Sequence, residues 1–312
     1  MEKLLSICIP TYNRVDKLKK SIEALICITD KMQNDAIEII VSDNNSSDNT
    51  FNLVGSHLDK LTYYRQEKNL GYDGNVKFLF SVAKGKFIFF VADDDKLIDD
   101  KFRELYHIIE DNQDVDCFVV NFFQEYNKKD DKYSFIEKSK TIVQLKELGK
   151  YFHRPFIFLS GFILKNKKVN LENILNGTYF TQMDIALLTL DINSKLYIYR
   201  DFVVWRIVPS YEDETGCNIL DDAWKIYLGS SKVQRKYASK FGVRLPYLLE
   251  VYQVLAFSGN YFRIPNRNLC QSTKNICKAM NALEWKYKIR LIFIPFIIIL
   301  KLIKKLFRFL SI

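Results

Sequence analysis

The chain has 312 residues, which is enough for one large domain or two smaller ones. Its 48% apolar and 14% aromatic content is that of a protein with a buried core, so a disordered chain is excluded. The net charge of +9 comes from residues 263–312, which contain eleven Lys or Arg and a single acid. The rest of the chain is close to neutral, and this distribution disfavours a nucleic-acid-binding domain.

The six cysteines form no C-x-x-C pair, and no histidine stands at metal-ligand spacing from two of them. The apolar run at residues 4–9 is too short for a secretory signal and leads directly into Pro10. These features predict a reduced, cytoplasmic setting.

Strands and helices are predicted to alternate along the first 125 residues. Apolar runs predict strands at residues 4–10, 37–41, 61–64, 86–92 and 116–123. Three helices are predicted. The first begins near residue 15 with Asn13 as its cap, the second ends near residue 58, and the third spans residues 76–83. This alternation predicts an α/β protein whose parallel sheet is covered on both faces.

Polar residues follow three of the predicted strands. Thr11 and Asn13 follow the first strand, Asp43 follows the second, and three aspartates follow the strand that ends near Ala92. Ligands of open parallel sheets bind beyond the carboxyl ends of the strands, so these residues are predicted to line one site.

Asp93, Asp94 and Asp95 are the strongest single signal for a functional site. Carboxylates this close together repel one another, and stability alone gives no reason to group them. Binding of a divalent cation would give such a reason, because Mg²⁺ prefers carboxylate oxygens and often bridges them to substrate phosphates. The alternative interpretation is a solvated acidic turn or a cap for a helix beginning near Leu97.

Four segments, at residues 6–14, 39–50, 69–71 and 92–95, resemble family 2 glycosyltransferases of the GT-A fold in their order and spacing. The resemblance covers roughly residues 1–125 and is greatest to bacterial enzymes that build O-antigen or capsule repeat units. It implies a Rossmann-like, mostly parallel sheet flanked by helices. The implied reaction is an inverting transfer from a nucleotide-diphosphate sugar.

The same resemblance implies a role for individual residues. The loop at residues 69–71 would lie against the nucleotide, and Asp95, with Asp93, would bind Mn²⁺ or Mg²⁺ at the diphosphate. Asn44 and Ala92 stand where many members have an acid. The implied donor-nucleotide residues are Pro10, Thr11, Tyr12, Asn13, Asp43, Asn69, Gly71, Asn75, Asp93 and Asp94.

The reaction also needs a carboxylate base to take the acceptor's proton. Asp184, at the start of a predicted apolar helix, is the best match to the family's base, although Met183 replaces the acid that often precedes it. Asp184 could instead serve only to stabilise the helix N-terminus, and Asp191 is a weaker candidate for the base. The departures at Ala92 and Met183 leave an alternative function: a non-catalytic, membrane-bound module that binds nucleotide sugars.

The predicted organisation is a catalytic domain at residues 1–215, a helical region at 216–287 and a basic tail at 288–312. The catalytic domain would comprise a nucleotide-binding half at 1–125 and an acceptor half at 126–215. The tail combines apolar residues with cations at helical spacing, which indicates an amphipathic helix on an anionic membrane surface. A docked C-terminal helix, a dimer contact and a full membrane span are the alternatives.

The predicted location is therefore the cytoplasmic face of the inner membrane, as a peripheral protein. The predicted partners are a nucleotide-diphosphate sugar donor, a lipid-linked or other glycan acceptor and the membrane surface.

Overall fold

The computed structural model describes residues 2–124, 141–206 and 219–244. The strands are β1 (Leu5–Thr11), β2 (Ile37–Asp43), β3 (Thr62–Arg65), β4 (Phe87–Phe90), β5 (Lys96–Leu97), β6 (Cys117–Gln124), β7 (Ile142–Gln144), β8 (Phe162–Lys165) and β9 (Lys195–Arg206). The helices are α1 (Val15–Met32), α2 (Thr50–Gly55), α3 (Gly71–Val82), α4 (Asp99–Asp111), α5 (Thr181–Thr189) and α6 (Ile219–Ala238). Short 3-10 turns connect β7 to β8 and β8 to α5.

The first half of the sheet has the order β3-β2-β1-β4, and every pairing in it is parallel. The side chains of β4 and nearly all of those of β1 and β2 are buried, which is the pattern of strands covered by helices on both faces. The predicted α/β alternation is confirmed here. In this register Thr11 and Asp43 are paired, so their strands end at the same edge.

The second half of the sheet is mixed. β8 pairs antiparallel with β4 and β6, and β9 runs parallel to β6 but antiparallel to β5 and β7. One continuous nine-stranded sheet results within the described part of the chain.

The cap of α1 and the start of α3 differ from the predicted ones. α1 begins at Val15 as predicted, but its N-cap residue is Arg14, and the first N–H of the helix donates to the side chain of Asp48. Asn13 instead takes a left-handed backbone conformation with φ of 52°, so the prediction that it caps α1 is wrong. α3 begins at Gly71, earlier than the predicted residue 76, because the side chain of Asn69 accepts the Gly71 N–H at 2.8 Å and so pairs one of the open donors of the first turn.

Seven of the nine residues of α5 are buried, and they include the polar side chains of Thr181, Gln182 and Asp184. Backbone contacts divide the chain into one unit of residues 1–217 with 233–244 and a second of residues 218–232 with 245–312. No helix among the described residues is long and apolar enough to cross a membrane. The predicted tail at residues 288–312 lies outside the described residues.

Candidate active site

The edge formed by the ends of β1, β2 and β4 brings the predicted site residues together. β4 ends at Phe90, and Val91 still donates a backbone hydrogen bond to Cys8 of β1, so the following aspartates lie beside the end of β1. Thr11 Oγ1 donates to Asp93 Oδ2 at 2.8 Å. Residues separated by about 80 positions in the chain therefore meet at one point.

Arg14 contacts two of the three aspartates. Its guanidinium donates through one nitrogen to Asp93 Oδ1 at 2.5 Å and through the other to Asp94 Oδ2. Burial raises the pKa of Asp93 to about 6, while the charge of Arg14 and the Thr11 hydrogen bond act in the opposite direction. Arg14 and Thr11 thus hold the pKa of Asp93 below the value that burial alone would give it.

Asp95 is directed into the protein interior. Ser160 Oγ donates to its carboxylate at 2.6 Å, and the Ser21 hydroxyl donates to its backbone carbonyl at 2.8 Å. Ser160 Oγ also accepts the backbone N–H of Ala92 at 2.9 Å. Asp95 is 1% exposed, whereas the side chain of Asp94 is 13% exposed, so Asp94 is the carboxylate of the triplet with the more open face.

Asp43 is fully buried at the end of β2. Its Oδ1 accepts the N–H of Ser46 at 2.8 Å, and its Oδ2 accepts the hydroxyl of Tyr63 at 2.7 Å. Burial, and then the hydrogen bond to Asp43, raise the pKa of Tyr63 well above its usual value. These two bonds fix the orientation of the carboxylate.

Asn44 shapes the loop at residues 69–71. Its Nδ2 donates to Asn69 Oδ1 at 2.8 Å and to the Gly71 carbonyl at 3.2 Å, and its Oδ1 accepts the Leu70 N–H at 2.8 Å. A carboxylate could accept from Leu70 but could not donate to Asn69. The structure thus gives a physical reason for the asparagine at this position.

The other predicted donor residues lie close by but differ in exposure. Tyr12 is exposed, Pro10 is half-buried, and the side chain of Asn13 accepts the Ser47 N–H at 2.8 Å. Asn75 is buried, and both ends of its amide bond to Ser42, which fastens α3 to β2.

The residues after the 69–71 loop connect it to α5. Asp73 accepts the Thr178 N–H at 2.9 Å and the Thr181 hydroxyl at 2.7 Å. Tyr72 donates to Gln182 Oε1 at 3.0 Å. The start of α5 therefore contacts the residues that follow the 69–71 loop directly.

Asp184 lies on the other side of that helix. Residues 182 and 184 are separated by about 200° around a helix, so Asp184 points away from the Gln182–Tyr72 contact. Its carboxylate is fully buried, with Oδ2 accepting the Leu175 N–H at 2.8 Å and Oδ1 accepting from Lys236 and Tyr237 at 2.6 Å each. Asp191 follows α5, is exposed, and accepts the N–H of Asn193.

The described residues contain no group of three or more His, Cys, Asp or Glu side chains placed to hold a metal ion. Asp93 and Asp94 face Arg14, and Asp95 faces Ser160, so the triplet does not form a closed cage. A site that offers one or two carboxylates fits Mg²⁺ or Mn²⁺ when substrate phosphates supply further oxygen ligands.

Besides the partners of Asp184, sequence reasoning missed three side chains that hold the carboxylates at the edge of the parallel strands. Arg14, Tyr63 and Ser160 each bond to a predicted site carboxylate. Only Arg14 had a visible signal, because it directly follows Asn13 in the loop after β1.

A family model described as "Glycosyl transferase family 2" matches residues 6–170, just over half of the chain. The chain is 28% identical over 240 residues to the GalNAc(5)-diNAcBac-PP-undecaprenol beta-1,3-glucosyltransferase of Campylobacter jejuni, which covers 72% of this chain and 71% of the relative. It is 33% identical over 116 residues to abequosyltransferase RfbV of Salmonella typhimurium, covering 36% of this chain and 34% of the relative.

Two solved structures show the same fold. TarS from S. aureus in complex with UDP-GlcNAc has a TM-score of 0.56 and 16% identity, covering 91% of this chain and 82% of that one. A mannosyltransferase from Pyrobaculum calidifontis in complex with GDP-Man and Mn²⁺ has a TM-score of 0.51 and 13% identity, covering 93% and 79%. The extent of the family match and the acid-lined edge of the parallel sheet lead to one conclusion: the chain belongs to glycosyl transferase family 2.

Proposed function

We propose that the protein catalyses an inverting transfer of a sugar from a nucleotide-diphosphate donor to a hydroxyl of a lipid-linked or other glycan acceptor. The observation that carries this proposal is the edge where Thr11, Asp43 and the aspartate triplet meet. Carboxylates there can accept bonds from a nucleoside and also hold a cation beside its diphosphate.

On the donor side, Asp43 is held by Ser46 and Tyr63 and is predicted to accept a hydrogen bond from the base or the ribose. The loop at residues 69–71, fixed by Asn44, would lie against the nucleotide. Preorganisation by these bonds lowers the ordering cost of binding.

The aspartate triplet would hold Mg²⁺ or Mn²⁺. When bound, such a cation stabilises the negative charge of the leaving diphosphate. Asp95 and Asp93 are the ligands predicted from the sequence, and the exposure of the Asp94 side chain adds Asp94 as a candidate. Arg14 would stay close to the same carboxylates, because it bonds to Asp93 and Asp94.

Asp184 is the predicted base for the acceptor hydroxyl. To act in this way its carboxylate must exchange at least one of its present donors, Leu175, Lys236 or Tyr237, for the acceptor. This requirement is also the observation that favours the second candidate function, a nucleotide-sugar-binding module without turnover.

The names of two relatives support the choice of acceptor. The C. jejuni protein is named for transfer to an undecaprenol-linked glycan, and another relative, TarP of Staphylococcus aureus, is named a poly(ribitol-phosphate) beta-N-acetylglucosaminyltransferase. TarP is 22% identical over 223 residues and covers 70% of this chain and 66% of its own length. A peripheral position on the inner membrane, reached through the basic tail, would bring this chain to such an acceptor.

The test is a donor panel. The full-length protein is incubated with UDP-, GDP- and dTDP-sugars and a membrane extract containing lipid-linked glycans, with Mn²⁺ or with EDTA. We expect transfer or slow hydrolysis of one donor that depends on Mn²⁺. Binding of a donor without either reaction would support the non-catalytic module, and no binding of any donor would refute both functions.

A further inference from the structure

Arg14 is the cation nearest to the aspartate triplet that the proposed function leaves without a role. Its guanidinium spans two separate carboxylates, those of Asp93 and Asp94, rather than pairing with one. Three quarters of its side chain is covered, with 24% exposed. The guanidinium reaches the two carboxylates through two different nitrogens, whereas a lysine has a single ammonium nitrogen to share between them.

The backbone around Arg14 is fixed from the neighbouring loop. The Asn13 N–H donates to Ser46 Oγ at 2.8 Å, and the Val15 N–H donates to Asp48 Oδ2 at 3.0 Å. The loop after β2 therefore holds the residues on both sides of Arg14. The fold of the backbone therefore directs the Arg14 side chain toward the aspartates.

The charges of this group explain what Arg14 does to an arriving cation. Three ionised aspartates carry a charge of about −3, and Arg14 offsets one of these charges. A divalent cation without a diphosphate would have to approach the same carboxylates beside a resident positive charge. A cation that arrives with a diphosphate brings negative charge, which Arg14 attracts.

We propose that Arg14 is a positioning residue that couples the two ligands of the donor site: it weakens the binding of a divalent cation alone and strengthens the binding of the cation together with a nucleoside diphosphate. The inference rests on the proposed function, since it assumes that the triplet meets a cation and a diphosphate. Coupling of this kind keeps the site from filling with metal ions before the donor arrives.

The experiment measures the two binding steps separately. Free Mn²⁺ is followed by electron paramagnetic resonance during titration of the metal alone. Calorimetry then measures binding of UDP, GDP or dTDP, whichever the wild type binds, in saturating Mn²⁺. The variants are Arg14→Met and Arg14→Lys. Arg103→Met is the matched control, because it removes an arginine that pairs with Asp99 near the far end of α1, where Lys31 also pairs with Asp99.

For Arg14→Met we expect Mn²⁺ alone to bind about tenfold more tightly and the nucleoside diphosphate to bind about tenfold more weakly. Both binding constants of Arg14→Lys should lie between those of Arg14→Met and the wild type. Arg14→Lys also provides the test if Arg14→Met does not fold. Arg103→Met should change neither constant. A merely structural role for Arg14 would instead weaken both steps together.

The inference is overturned if the two constants move in the same direction or stay unchanged in both Arg14 variants. A wild type that binds none of the three nucleoside diphosphates, with or without Mn²⁺, would instead refute the proposed function. The two failures are therefore distinguishable.

Discussion

The parallel half of the sheet and helix α5 position their site residues by different means. In the parallel half, Thr11 and Asp43 are the last residues of β1 and β2, and register alone places them side by side. In α5, Asp184 is held by Lys236 and Tyr237, which lie about 50 positions further along the chain. The end of a strand can be recognised from neighbouring residues in the sequence, whereas a contact between residues about 50 positions apart cannot.

The largest expected effect is in the parallel half. Asp94→Asn and Asp95→Asn each remove a candidate cation ligand, and loss of the true ligand should lower turnover about a thousandfold. The true ligand's variant should also need more Mn²⁺ for half-maximal activity. Steady-state kinetics over a range of Mn²⁺ concentrations would measure both effects.

The melting temperature should also distinguish the Asp95→Asn variant from the Asp94→Asn variant. Asp95→Asn disturbs a buried carboxylate bonded to Ser160, so it should lower the melting temperature, whereas Asp94→Asn should change it little. Asp114→Asn is the control, since Asp114 is an exposed partner of Lys195. Full turnover in both Asp94→Asn and Asp95→Asn would contradict a role for this triplet in holding the cation.

The next effect concerns α5. Asp184→Asn and Lys236→Met each break a buried or half-buried pair and should lower the free energy of unfolding by about 3 kcal/mol. If Asp184 is the base, Asp184→Asn should also abolish turnover at a temperature where it is folded, while Lys236→Met retains activity. Urea denaturation and kinetics at low temperature give the two readouts.

A different outcome would change the assignment of Asp184. If Asp184→Asn and Lys236→Met lose the same stability, the double variant loses no more, and both keep turnover, then Asp184 only anchors the C-terminal turn of α6. The base would then have to be sought elsewhere.

The smallest effect is a pH dependence of stability. The pKa of Asp93 is raised to about 6 in the folded protein, so the folded state binds this proton more tightly than the unfolded chain does. Its contribution is fully present below about pH 4 and is lost as the pH rises through about 6, by at most about 3 kcal/mol.

Asp93→Asn removes this titration and serves as the reference. In EDTA, the stability of the wild type relative to Asp93→Asn should decrease from pH 4 to pH 7. The measurement is urea denaturation at each pH. An equal dependence on pH in the two proteins would show that Asp93 titrates as it does in an unfolded chain.

Features that depend on neighbouring residues could be predicted from the sequence, and features that depend on distant contacts could not. The α/β alternation and the polar strand ends were predictable, because strand periodicity and the polar residues after a strand are local signals. The cap of α1 and the start of α3 were not, because they depend on Asn13 adopting positive φ and on Asn69 bonding to Gly71. The ion pair of Asp184 with Lys236 could not be predicted, because no sequence spacing relates residues so far apart.

The bonds from Tyr72 and Asp73 to the start of α5 have a kinetic consequence. The segment proposed to lie against the donor is joined to the helix whose other side holds Asp184. A shift of that segment on donor binding would be transmitted to α5 or would break three hydrogen bonds. We therefore expect an ordered mechanism in which the donor binds before the acceptor.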